Sequence, residues 1–86
     1  MHAVVTQVSI SDREAAQQTL QNEVVPRVSG LPGFVAGYWV ALGEDKGAAV
    51  MVFETEGNAR AAADAIQPPP AVTFDSIQVG EVAASA

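Results

Sequence analysis

Few side chains in this sequence could do chemistry, and those few are aromatic or neutral. Trp39 and Tyr38 adjoin in an apolar stretch, while Gln7, Ser9 and Asn22 are polar residues set among apolar ones. Such a set could wall a flat aromatic ligand and orient one of its oxygens, as a small-molecule pocket requires. Because Tyr38 and Trp39 are consecutive, a strand would aim only one of them at a given cavity. Packing in a core or interface is the plainer role for either aromatic. Asn22 lies four residues before Pro26, where the missing N–H leaves its carbonyl without a helical partner. His2 follows Met1 and is expected to be a solvated terminal side chain. Glu44 and Asp45 fall in a turn, and Glu54 and Glu56 flank a helix start, where negative charge suits the helix dipole. There is no glycine-rich phosphate loop, nucleophile elbow or metal-ligand spacing, so no metal and no cofactor are expected.

The chain that must position these residues has 86 residues, 49% of them hydrophobic and 16% charged. That composition predicts one small domain, residues 1–86, with enough apolar side chains for a core and too few charges for a disordered acidic tail. A domain of this size buries only about two-thirds of its unfolded surface, and usually adds a disulfide, a metal or a partner subunit. With no cysteine and one histidine, association is the remaining source of stability. The net charge is −6, and Arg13, Arg27, Lys46 and Arg60 are scattered singly. No basic stripe exists to neutralise phosphates, which argues against nucleic acid as a partner. The Met1 end lacks the positive segment and apolar run of a secretory signal, and no stretch nears about eighteen apolar residues. The protein is therefore expected in the cytoplasm, with no membrane partner.

The β-branched run from His2 to Ile10 predicts a first strand, and Ser11-Asp12-Arg13-Glu14 then reads as a capping box starting a helix. Ala16, Leu20, Val24 and Val28 recur every four residues, a stripe that should lie on the sheet. Pro26 predicts a kink or a loosened turn near Asn22, and Gly30 with Leu31-Pro32-Gly33 ends the helix. Second and third strands follow at 34–42 and 48–53, joined by a polar hairpin with glycine at each end. The third strand is apolar at every position, so both its faces need cover. Thr55 caps a second, alanine-rich helix that Pro68-Pro69-Pro70 stops, and 72–82 forms a last strand in which Gly80 permits a bulge.

The order strand, helix, strand, strand, helix, strand is the ferredoxin-like βαββαβ arrangement of the α+β class. It has a four-stranded antiparallel sheet with two helices on one face. Two helices cannot cover two faces, so a second copy of the chain is expected on the other, giving a homodimer with facing sheets. Val25-Pro26-Arg27, Leu31-Pro32-Gly33-Phe34 with Gly37-Tyr38-Trp39, and Val52-Phe53-Glu54-Thr55 opening an alanine-rich helix carry a resemblance over nearly the whole chain. They resemble small members of the dimeric α/β-barrel superfamily, the antibiotic biosynthesis monooxygenase group above all. The resemblance implies a dimer in which the segment from Val79 to Ala84 reaches the partner's sheet edge, and a pocket for a small hydrophobic or aromatic ligand. It also implies a possible activity, cofactor-independent oxygenation of a small aromatic or polyketide-like substrate. Trp39 or Tyr38 would be the pocket wall, and Gln7, Ser9, Asn22 and His2 the polar contacts. The superfamily also holds haem degraders, isomerases and proteins without known activity, so a non-catalytic ligand-binding or structural dimer is the alternative. Haem degradation is disfavoured, because Thr6 and Gln7 stand where the first strand would need Asn and no His follows position 2.

Overall fold

A computed structural model describes residues 1–86. The β-branched runs form four strands, β1 (His2–Ile10), β2 (Phe34–Ala41), β3 (Lys46–Phe53) and β4 (Val72–Glu81). Between β1 and β2 runs one helical rod made of α1 (Arg13–Thr19), a π-helical segment (Leu20–Val24) and α2 (Val25–Ser29). The second crossover, from β3 to β4, is α3 (Glu56–Ala65). The sheet order is β2-β3-β1-β4, and every adjacent pair is antiparallel. The protein is α+β, and this arrangement is consistent with a ferredoxin-like fold.

Burial identifies the covered face. Val4, Ala49, Met51 and Phe53 of the sheet pack with Val28, Ala59 and Ala62 of the helices. Both helical crossovers therefore cover the side to which even residues of β1 and odd residues of β3 point. Phe34 and Phe53 meet edge to face there, with ring centroids 5.8 Å apart, a favourable aromatic geometry. The opposite side carries Val5, Tyr38, Val40 and Val50, which are all exposed in the single chain.

The first helix begins one residue later than its capping box implies. Asp12, not Ser11, is the N-cap, and its carboxylate accepts from the Ala15 amide at 3.1 Å. Ser11 is drawn away by Ala71, whose carbonyl accepts from the Ser11 amide at 2.9 Å and from its hydroxyl at 3.4 Å. The irregularity expected from Pro26 is a π-helical segment, in which the Val25 amide donates to the Leu20 carbonyl five residues back. Pro26 has no N–H to offer Asn22, and widening the turn ahead of it keeps the rod continuous. Thr55 caps α3 by accepting from the Asn58 amide at 3.1 Å. Arg60, one turn on, donates to Glu56 and holds its carboxyl below the usual range through that hydrogen bond and its charge, with His2 adding to the effect.

Three other sequence readings shift. β3 starts at Lys46 rather than at its apolar run, because Lys46 Nζ reaches Ser9 Oγ at 2.8 Å and Asp75 at 3.5 Å across the sheet. The hairpin turn thereby shortens to 42–45, and β2 ends at Ala41 rather than 42. The bulge in β4 lies at Asp75, between the pairs Gln7–Ser76 and Val8–Phe74, and not at Gly80, which pairs regularly with Ala3. A second bulge sets Val35 between the pairs Phe34–Phe53 and Ala36–Val52.

Glycine is required at the turn into β2. Gly33 has φ +77°, and a Cβ there would collide with the Asn58 side chain on α3. Its carbonyl accepts from the Glu54 amide at 2.8 Å, tying the β2 start to the β3 end. Ala71, by contrast, holds φ 70° with a side chain, in a turn closed by the Val72 amide on the Pro69 carbonyl at 3.1 Å. The left-handed conformation costs an L-residue about 1–2 kcal/mol, of which glycine's greater unfolded-state freedom takes back about half. Ala71→Gly is expected to raise stability by about 0.5–1 kcal/mol, read as a higher urea midpoint with an unchanged slope. A lower midpoint would contradict strain at Ala71.

Candidate functional site

A cavity of about 190 Å³ opens between the first helical rod and the sheet. Its sheet wall follows from strand register. Thr6 of β1 pairs with Ala49 of β3, and Ala49 pairs with Trp39 of β2, so the three stand in one row on the helix side. Ala16, Leu20 and Val24 face them from the rod, the helical stripe read in the sequence. Small residues create the space, since Ala16, Gly47 and Ala49 all line it where larger side chains would meet. Towards the β2–β3 turn the walls become polar, with Arg13 and Gln17 on α1 and Gln67 after α3.

Trp39 is the aromatic wall, and it lies over a glycine. A Cβ built on Gly37 would meet two carbons of the Trp39 ring at 2.9 Å and Phe34 at 3.3 Å. Residues two apart on a strand share a face, so the absence of a side chain at Gly37 is what lets the indole fold back along β2. Thr6 is 2% exposed, sits on the central strand and forms no hydrogen bond through its hydroxyl, which lines the cavity. Arg13 donates to the Gly43 carbonyl, which pins α1 to the β2–β3 turn. No Asp, Glu or His lines the cavity.

The sequence-derived candidates divide. Trp39 lines the cavity, whereas Tyr38 points to the open side of the sheet and is 66% exposed. Gln7 and Ser9 lie on that open side as well, because odd residues of β1 alternate with Thr6 and Val8. Ser9 there donates to both oxygens of Asp75 at 3.0 and 2.8 Å and accepts from Lys46. Asn22 is exposed on the π-helical segment, away from the cavity. His2 is half-buried rather than solvated, with Nδ1 enclosed and unpaired, but it sits between Phe53 and Glu81 at the far end of β1. Sequence reasoning missed Thr6, Arg13 and Gln17. The signal for Thr6 was its even position among Val4, Val8 and Ile10, and Arg13 and Gln17 are spaced by four on one helix face. No metal-binding cluster of acidic residues and His is formed.

No family model, curated protein or solved structure matches the chain. The cavity's geometry must therefore carry the functional reading.

Gly37→Ala tests how the wall is set. The new methyl must displace the Trp39 ring, and overpacking of this kind costs about 1–3 kcal/mol. A loss of stability in that range with a changed Trp39 emission spectrum is expected in chemical denaturation. Unchanged emission and midpoint would mean that the indole does not depend on Gly37.

Proposed function

We propose that the protein is a small homodimeric α/β-barrel protein whose subunits each bind a small apolar, single-ring ligand between helices and sheet. The cavity of about 190 Å³ is the observation that carries this reading. A buried apolar cavity of about 150 Å³ accepts benzene, so one ring with a substituent fits, and drug-sized molecules do not. The apolar lining with polar groups gathered at the opening favours binding. The lack of a lining carboxylate or imidazole gives little means for acid or base chemistry.

A second reading, cofactor-independent oxygenation, is favoured by Trp39 and Arg13 sharing the cavity. The positive charge of Arg13 at the opening would favour the phenolate of a bound phenol. The electron-rich ring would react with dioxygen, one oxygen atom entering the ring to form a quinone and the other leaving as water. The resemblance to the antibiotic biosynthesis monooxygenase group supports the same reading. Protein-dependent oxygen uptake with a panel of phenols and hydroquinones would establish it, and none would leave the binding protein.

The second copy covers the open face. Val5, Tyr38, Val40 and Val50 are 37–66% exposed and adjoin across three paired strands. Monomers seldom expose such a continuous apolar patch. β4 is an edge strand, and the segment from Val79 to Ala84 would extend along the partner's sheet. Light scattering at micromolar concentration is expected to give about twice the 8.9 kDa of one chain. Val50→Lys, placing a charge mid-face, is expected to give a monomer. A folded wild-type monomer would overturn the facing-sheet assembly.

Calorimetric titration with small aromatic probes, followed by quenching of Trp39, the only tryptophan, tests the binding reading. Saturable quenching is expected. No binding by any single-ring probe would refute it.

A further inference from the structure

Arg13 and Gln17 stand at the cavity's opening and Thr6 stands deeper within it, and this narrows the ligand. Thr6 lies in the row with Ala49 and Trp39, at the centre of the sheet. Its hydroxyl makes no hydrogen bond within the chain and is reached from the cavity, so a ligand group can pair with it there in place of water. Arg13 stands at the opening, beside the β2–β3 turn. Lys46 and Arg60 are each paired with a carboxylate, and Arg27 does not line the cavity. Arg13 alone brings a positive charge to this space, and it forms no ion pair within the chain. Its one internal contact, to the Gly43 carbonyl, orients the guanidinium and leaves most of its five donors free. Gln17, one turn further along α1, adds an amide donor on the same side.

Resting on the ligand-binding reading above, we infer that the cavity selects a single-ring aromatic acid carrying a hydrogen-bonding group opposite its carboxylate. The ring lies against Trp39, between Ala16 and Ala49. The far substituent reaches the Thr6 hydroxyl, and the carboxylate meets Arg13 and Gln17 at the opening. An arginine is suited to this end, because its planar fork holds a carboxylate through paired hydrogen bonds. The chain's net charge of −6 makes that local contact the source of selectivity, since the overall field repels an anion. A neutral ring of the same shape would keep the apolar contacts and lose only the charged end.

The test uses three probes, 4-hydroxybenzoate, benzoate and 4-hydroxybenzamide, titrated against the whole protein by calorimetry and Trp39 fluorescence. 4-Hydroxybenzoate is expected to bind at least tenfold more tightly than the neutral amide, the scale of one charge-assisted hydrogen bond. Arg13→Gln is expected to remove that preference and leave affinity for 4-hydroxybenzamide within about twofold. Thr6→Val, close in shape, is expected to weaken 4-hydroxybenzoate and leave benzoate unchanged. Equal affinity of the wild-type protein for acid and amide would overturn the inference without any variant having to fold, and would leave the cavity as an apolar site. A parallel loss of acid and amide in Arg13→Gln would likewise overturn it, showing that Arg13 only braces α1 against the turn. Failure of all three probes to bind would overturn both the inference and the ligand-binding reading.

Discussion

Each strand residue must point to one face of the sheet or the other, and the register that pairs β1, β2 and β3 applies this alternation in step across the strands. Everything else in the molecule follows from how that parity falls. It sets Val4, Thr6, Ala49, Met51 and Trp39 under the helices, and Val5, Gln7, Tyr38 and Val50 on the open side. A slip of one residue would exchange the two sets, burying Gln7 and exposing Met51. The bulges at Val35 and Asp75 absorb the irregularities near strand ends, so the central rows stay in phase.

Under the helices, the two crossovers use their volume differently. α3 presents the buried alanines Ala59 and Ala62, small side chains that bring its backbone close to the sheet and leave little space. The first rod instead faces the sheet with Ala16 followed by Leu20 and Val24, opposite small residues of β3. Alanine against alanine, framed by larger side chains, leaves the cavity. The π-helical segment belongs to the same stretch, because Leu20 and Val24 are both its terminal residues and wall residues. Pro26 thus acts on the site indirectly, by reshaping the turns that carry those two side chains.

Most of the fold was legible because its signals are local or periodic. Alternating β-branched runs gave the strands, and the four-residue stripe gave the face of the first rod. Pro26 marked the irregular turn, and Pro32-Gly33 the start of β2. What misled were signals with two readings. Ser11 and Asp12 are both good caps, and only the contact of Ser11 with Ala71, sixty residues away, decides between them. Gly80 and Asp75 both lie in β4, and the bulge falls where Asp75 joins Ser9 and Lys46 across the sheet rather than where the backbone is freest. The site was less legible for a related reason. Gln7 and Ser9 stood out as polar residues interrupting an apolar run, yet alternation turns them outward. Thr6 stood out only as a residue where Asn was wanted and not as a pocket residue, because it is β-branched like its neighbours, and its hydroxyl matters only once Ala49, Ala16 and Trp39 are seen to leave space around it.

That space has an energetic consequence. Only 11 of the 86 residues are buried, so the core is thin even for a small domain. Because the cavity opens beside Arg13, water can enter it, and what its apolar walls forgo is packing against other side chains. Ala16→Leu or Ala49→Val would fill part of it with ordinary apolar side chains, so alternatives that would close the cavity lie one substitution away. On the reading proposed above, a ligand and a second copy would each compensate for this volume. A ring bound in the proposed way would restore the missing contacts from within, adding RT ln(1 + [L]/Kd) to stability. Burial of Tyr38, Val40 and Val50, exposed in the single chain, against the proposed second copy would add it from the opposite face. If the proposed ligand and partner both bind, they would act on opposite sides of the same central strands, each stabilising the sheet the other needs, so occupancy of the cavity would strengthen association without any contact between the two sites.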